Sequence, residues 1–421
     1  MSEAHGRIRS AWVGLCLLLV PIQVATAFAQ SLTHRGFAEG TAYAFPQTTT
    51  NDRTNLVGDF LAREEVFASP AEWLRLAAGA ELRANSHDQV EDSWALRFWD
   101  RTDRRPRLAV RTLSATVTGG PFTLDVGKQF IRWGKTDIVV PTDRFSPRDY
   151  LTVIDAPFLA VTGVRGTAQL RSYTIEAVWS PRLTPSRIPL LTQRWAGTAG
   201  EVAAALPIAE TPTNFPDGSQ TGIRFGHMAN GFEYSASFYD GFNTSPDFRL
   251  HEPETPAAPF ELERIFPSIR SYGADVAIPL PYFTVKGEAA YLTSSSPTTD
   301  EYVLYVLQLE RQRGEWVFVG GYAGEVVTRE RSLLSFSPER GLSRSLVAKA
   351  TYTFDANRSI DFESAVRQNG DGVYAKAEYS QARGQHWRTT LSAVVLAGDS
   401  SDFIGQYDRN SHVRVTVRYS Y

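Results

Sequence analysis

The C-terminal third of the chain is written in twos. Val413, Val415, Val417, Tyr419 and Tyr421 alternate with Arg414, Thr416, Arg418 and Ser420. The preceding segment sets Trp387, Thr389, Leu391, Ala393 and Val395 against Arg388, Thr390, Ser392 and Val394. Before it, Val373, Ala375, Ala377 and Tyr379 oppose Tyr374, Lys376, Glu378 and Ser380, and Ile360, Phe362, Ser364 and Val366 oppose Asp361, Glu363, Ala365 and Arg367. A period of two is the signature of a β-strand with one apolar and one polar face.

The same reading predicts eighteen strands, over 35–45, 55–67, 72–84, 107–118, 121–133, 157–170, 171–180, 219–229, 232–241, 268–279, 282–293, 301–311, 314–328, 343–354, 358–368, 371–383, 386–397 and 409–421. These are long for a globular sheet, whose strands average about five or six residues. Every second connection is tight, as at Gly119-Gly120, Asn230-Gly231 and Asp355-Ala356-Asn357, and the others are mostly long. The exception is Asn369-Gly370-Asp371-Gly372, short where a long loop is due. Alternating segments of roughly ten residues, with short turns at one end and long loops at the other, describe a transmembrane antiparallel up-and-down β-barrel. Trp73, Trp133, Trp179, Trp316, Trp387 and Tyr421 fall near strand ends, where aromatic girdles belong. The expected class is therefore all-β, with about eighteen strands and sixteen as the alternative. An even count places both termini on one side, the periplasmic one.

The N-terminus agrees with export. Arg7 and Arg9 precede an apolar run from Ala11 to Val20, and Ala27-Phe28-Ala29 is a small–x–small cleavage pattern. Residues 1–29 read as a signal peptide and 30–421 as one outer-membrane barrel. The apolar run falls short of the about 20 residues a spanning helix needs. Removing Glu3, Arg7 and Arg9 moves the net charge from −3 to −4. That mild acidity gives no footprint for nucleic acid. Cys16 is the only cysteine, so disulfides, thiolate metal sites and a cysteine nucleophile drop out of the mature chain.

A barrel of this size encloses an aqueous channel rather than a packed core. The faces predicted to point inward carry Arg75, Glu81, Arg83, Arg165, Glu176, Arg224, Glu233, Asp275, Lys286, Glu288, Lys349, Asp361, Glu363, Arg367, Lys376, Glu378, Arg388, Arg414 and Arg418. Facing lipid at mid-bilayer, each Arg or Lys would cost about 2–4 kcal/mol, so alternate positions this rich in charge imply a wet interior. Their modest cationic excess weakly favours anionic solutes.

The most distinctive segment follows the fifth strand. It runs Gly127-Lys128-Gln129, Trp133-Gly134-Lys135-Thr136-Asp137, then Pro141 to Tyr150 with Asp143, Arg144, Arg148 and Asp149 between stiffening prolines. A Gly-Lys-Gln strand, a Trp-Gly end and a Pro/Asp-rich stretch closing on Ser146-Pro147-Arg148-Asp149 resembles porin-like outer-membrane proteins. It is especially similar to a group found with exporters of hydrophobic molecules, which tends to have Asn where this chain has Ser146. The resemblance covers about 25 residues plus the barrel pattern. It implies that the third long loop, over 134–156, folds inward and narrows the lumen. Lys135, Asp137, Asp143, Arg144, Arg148 and Asp149 would then form a charged constriction, or pair among themselves to hold the loop in place. The terminal aromatic strand resembles the assembly signal of such proteins, with Tyr419 and Tyr421 read by the barrel-assembly machinery.

No catalytic constellation emerges. Gly226-His227-Met228-Ala229-Asn230-Gly231 is similar to the His–Ser–Asn–Gly motif of outer-membrane phospholipase, but Ala229 occupies the nucleophile position. The histidines are scattered, with no metal-ligand spacing, and no phosphate loop or dinucleotide fingerprint occurs. No enzyme activity, cofactor or metal is expected. The segment 181–218, rich in Pro, Thr and Ala, is expected to cover the mouth or fold inward. Two functions compete: a passive or substrate-selective channel for small hydrophilic solutes, and a conduit for hydrophobic or lipidic molecules coupled to an inner-membrane exporter. Leu304 and Val306 would form an apolar inner stripe favouring the second. Expected partners are outer-membrane lipid and lipopolysaccharide, the assembly machinery and a small solute, with the barrel a monomer or a homotrimer.

Overall fold

The computed structural model describes residues 32–229, 231–253, 255, 258–331 and 336–421. The expected signal peptide and Asn230 of the expected hairpin turn lie outside the described residues. Eighteen strands form the wall: β1 Leu32–Ala44, β2 Leu56–Ala71, β3 Leu74–Asn85, β4 Leu108–Gly119, β5 Phe122–Gln129, β6 Val161–Leu170, β7 Tyr173–Ser180, β8 Gln220–Ala229, β9 Phe232–Phe242, β10 Ser268–Pro279, β11 Thr284–Ser294, β12 Glu301–Arg313, β13 Trp316–Arg329, β14 Ser345–Asp355, β15 Arg358–Arg367, β16 Gly372–Arg383, β17 Trp387–Gly398 and β18 His412–Ser420. Each pairs antiparallel with its sequence neighbours. β18 closes on β1, with Ala44 opposite Val413 and Phe37 opposite Ser420. The count is eighteen, and sixteen is excluded.

Along β12 the two faces separate cleanly. Tyr305, Leu307 and Leu309 are 37%, 56% and 48% exposed, while Leu304, Val306 and Gln308 between them are at most 3% exposed. The same outward apolar face recurs at Trp179, Ile223, Phe318, Leu346, Val395 and Val415. An apolar face on this scale, running around a closed barrel, is what a lipid-facing wall presents. A closed sheet leaves no unpaired edge, so the barrel meets the condition for crossing a bilayer.

Trp73, Trp179, Trp316, Trp387 and Tyr421 are exposed at strand ends, as expected of girdles. Trp133 is a correction. It is 2% exposed and packs edge-on against Phe145 inside the barrel. β5 stops at Gln129 instead of running to 133, and the chain leaves the wall there. Gly127 turns the strand: its φ is +121°, and a Cβ would lie 3.0 Å from Ser114 Cα while colliding with the Leu113 carbonyl. Where β5 leaves, Leu96–Arg97 of the preceding loop pairs in parallel with Leu108–Ala109. The Lys128 ammonium holds that loop through the Phe98 carbonyl at 2.6 Å and Asp100 at 2.7 Å.

The long loops gather at one end. A small sheet of 208–210, 247–251 and 260–265 lies among them. The tip of the loop after β7 folds inward, with Arg194 and Trp195 buried and the Arg194 guanidinium 3.8 Å from the Phe45 ring centroid. The turn 369–372 is short, as its sequence indicates.

Candidate functional site

The segment 130–160 lies inside the barrel, held by three kinds of contact. The first is apolar. Ile131, Trp133 and Phe145 pack against Tyr239, Ile269, Leu292, Tyr302 and Leu304 of wall strands β9 to β12. Leu304 belongs to the seat of the loop, so the apolar stripe read from β12 is covered and does not line an open channel there.

The second is a single carboxylate. Glu288, on the inward face of β11 and 4% exposed, accepts five hydrogen bonds from the loop. Lys135 N (2.9 Å), Thr136 N (3.1 Å) and Thr136 Oγ1 (2.9 Å) donate to one oxygen. Thr142 N and Thr142 Oγ1, both at 2.9 Å, donate to the other. A buried carboxylate needs this many donors to replace its lost hydration. Beside it, Gln308 accepts from Asp137 N at 2.8 Å and donates to Asp137 Oδ2 at 2.5 Å.

Gly134 lets the backbone come this close. Its φ is +93°, and an added Cβ would lie 2.6 Å from Glu288 Oε1 and collide with Val140. Gly134→Ala is expected to weaken the anchor by about 1–3 kcal/mol from the left-handed backbone alone. Faster amide hydrogen exchange over 133–142, with the rest of the barrel unchanged, is the measurement that checks it.

The third is a buried ion cluster at the far end of the loop. Asp149, 2% exposed, receives Arg105 Nε at 2.8 Å, Arg105 Nη2 at 3.1 Å and Arg187 Nη1 at 3.1 Å. Arg187 continues to Asp100 at 2.7 Å. Burial alone would raise the Asp149 carboxyl, but Arg105 and Arg187 outweigh it and hold it well below the ordinary carboxylate range.

The six loop charges named from sequence therefore divide. Lys135 pairs with Glu233. Asp137 pairs with Lys286 at 2.9 Å. Asp143 takes Arg132 at 2.7 Å, Ser146 Oγ at 2.6 Å and Trp133 N at 3.1 Å. Asp149 sits in its arginine cluster. Arg144 and Arg148 have no ion pair among the described residues and line a cavity instead. Arg148 lies 4.0 Å over the Phe158 ring, and Arg144 Nε and Nη2 have no hydrogen-bond partner among the described residues.

Two cavities flank the loop. One, of about 480 Å³, has an apolar wall that includes Val140, Ile154, Leu342, Val347, Leu396 and Phe403. The other, of about 640 Å³, is polar and carries Arg63, Arg83, Asp155, Lys376, Arg414 and Arg418. Arg148, Ile154, Ala156 and Glu363 line both. Of the inward charges named from sequence, Arg83, Glu363, Lys376, Glu378, Arg414 and Arg418 line this polar cavity. Arg165 pairs with Asp125 at 2.8 Å, Lys349 with Glu363 at 3.0 Å and Arg367 with Asp402 at 2.7 Å. Lys376 reaches Glu378 at 3.3 Å, Arg414 bonds Glu378 at 2.9 Å and also Asp155, and Arg418 pairs with Glu39 at 2.6 Å. Asp361 accepts from Thr351 at 2.5 Å, and Arg388 donates to Ser380 at 3.4 Å. On the outer face Tyr419 stacks beside Trp387 and Tyr421. His227 stacks on Tyr173 and Tyr234 there, within an aromatic band.

Sequence reasoning missed Arg105, Arg187 and Glu339. All three sit in loops, where no period marks the inward side. Among the described residues no cluster of three or more His, Cys, Asp or Glu could hold a metal.

No family model matches the chain, and no curated protein sequence matches it at a significant level. Solved structures do. The chain is similar to OccAB4 of Acinetobacter baumannii (TM-score 0.54, 12% identity, 92% of this chain and 97% of that one). It is similar to a BenF-like porin of Pseudomonas fluorescens Pf-5 (0.54, 9%, 94% and 99%). It also resembles OpdK of Pseudomonas aeruginosa in its structure with vanillate (0.52, 10%, 94% and 99%). At these identities the likeness establishes a shared fold, that of porin barrels.

Proposed function

We propose that this chain is a substrate-selective outer-membrane channel for small solutes, with a preference for anions. The observation that carries the proposal is the loop 130–160, pinned inside the lumen by Glu288 and Asp149 and leaving two cavities that share Arg148. In this reading residues 1–29 are removed on export, 30–421 form the barrel and both termini face the periplasm. Lys135, Asp137, Asp143 and Asp149 hold the constriction in shape, while Arg144 and Arg148 present its charge. The polar cavity, rich in arginine, supports an anionic cargo. The apolar wall of the other cavity supports a cargo with a hydrophobic body, and the vanillate of the similar OpdK structure is a small aromatic carboxylate of that kind. The barrel-assembly machinery, reading Tyr419 and Tyr421, outer-membrane lipid and lipopolysaccharide, and a monomeric or trimeric state belong to the same proposal.

Single-channel recording in planar bilayers tests it. Refolded protein is expected to give stepwise conductance with anion preference. Arg144→Ala and Arg148→Ala together should move the reversal potential in a salt gradient toward cation selectivity. A folded, heat-modifiable barrel that never conducts would overturn the channel and leave the conduit for hydrophobic molecules as the reading to test.

A further inference from the structure

The apolar cavity holds two charged groups of opposite sign that do not satisfy each other. Arg144 Nε and Nη2 and Glu339 Oε1 are buried atoms without hydrogen-bond partners among the described residues. Arg144 comes from the inward loop. Glu339 comes from the turn Pro338–Arg340 between β13 and β14. Both line the same cavity of about 480 Å³. Of the other charges around it, Asp137 pairs with Lys286, Asp143 with Arg132, Lys349 with Glu363 and the neighbouring Arg340 with Asp300 and Glu325, while Arg148 lies over the Phe158 ring. Buried polar atoms are satisfied in the great majority of native sites, and exceptions mark a role. A guanidinium and a carboxylate that line one chamber yet stay apart leave room for something between them. Aliphatic and aromatic side chains, among them Val140, Ile154, Leu342, Val347 and Leu396, form much of the remaining wall, with Asn243, Thr244 and Ser245 on one side.

We infer that this cavity is a subsite for a zwitterion with an apolar body, the carboxylate end going to Arg144 and the ammonium end to Glu339. The inference rests on the channel reading and narrows its cargo: a simple anion would leave Glu339 unpaired and repel it. Burial pushes the Glu339 carboxyl above its ordinary range, against the pull of Arg144 and Arg340, and an ammonium group placed beside it would favour its charged form.

The test uses three probes with one aromatic body: L-phenylalanine, 3-phenylpropionate and 2-phenylethylammonium. Binding to the refolded full-length barrel is measured by calorimetry, with bilayer conductance recorded in parallel. L-Phenylalanine is expected to bind about tenfold or more tighter than either single-charge probe, since each charge-assisted hydrogen bond contributes roughly that factor. Glu339→Gln should abolish its advantage over phenylpropionate, and Arg144→Gln its advantage over phenylethylammonium. Equal binding of all three, or phenylpropionate tightest, overturns the zwitterion site while a conducting protein keeps the channel. Absence of conductance overturns the channel, and the wild-type binding order still decides the subsite.

Discussion

Glu288→Ala should open the constriction without unfolding the barrel. The substitution removes one carboxylate and strands four loop donors, from Lys135, Thr136 and Thr142, while Thr136 Oγ1 keeps the Val139 carbonyl at 2.6 Å. Hydrogen bonds to a charged group contribute about 1.5–3 kcal/mol each. Water admitted to the site recovers part of that, and a net loss on the order of 5 kcal/mol remains. Holding the eight residues from 135 to 142 in one conformation costs about 1–2 kcal/mol apiece, so the segment depends on its anchor. The barrel does not, because its wall is a closed ladder of strand pairs and Glu288 adds nothing to it. Ile131, Trp133 and Phe145 keep their apolar seat. The expected variant therefore migrates as a normal heat-modifiable barrel, conducts more current with greater open-channel noise, and is newly cut by trypsin after Lys135 and Arg144. Glu288→Gln, which keeps one acceptor oxygen, should fall between. Unchanged conductance and protease resistance would mean that the apolar seat alone holds the loop.

This division between wall and loop also explains what could be read from the amino-acid order. Alternation is a local property. Val413 to Tyr421 declare two faces without reference to any other strand, and the closed barrel repeats that rule eighteen times. Lumen charges such as Lys376 and Arg414 follow from the same rule. Loop positions obey no period, so the inward loop is legible only through its composition. Gly134 is the clearest case. It reads as an ordinary turn glycine, yet it is required because a wall carboxylate 154 positions further on occupies the space its side chain would need. Glu288 itself reads as one more inward acid among many. Trp133 was misplaced for the same reason: alternation carries on to 133, but the strand pairing ends at Gln129 and the chain beyond it lies inside the barrel.

The second large effect concerns Asp149, and its pH dependence has a definite sign. Asp149→Asn leaves the buried Arg105 charge without a carboxylate, with only neutral acceptors, the amide oxygen of the new side chain and Gln89 at 3.1 Å, while Arg187 retains Asp100. Removing one partner of a buried pair costs about 3–5 kcal/mol. The far end of the loop, 148–160, should exchange its amides correspondingly faster than in the wild type. Asp149→Asn combined with Arg105→Met removes the stranded charge as well, and part of the loss should return, with a coupling between the two sites well beyond additivity. A carboxyl held below its unfolded value of about 3.9 stabilises the fold above that pH and loses the contribution only as pH falls through the lower folded value. The protection gap between wild type and Asp149→Asn should therefore be complete at pH 7 and at pH 5, and narrow only below about pH 4. A gap that already closes between pH 7 and pH 5 would mean that burial prevails over the arginines and raises the Asp149 carboxyl above its ordinary value. In that case the arginine cluster would not be what holds the loop, and the polar hold would rest on Glu288 and its neighbour Gln308.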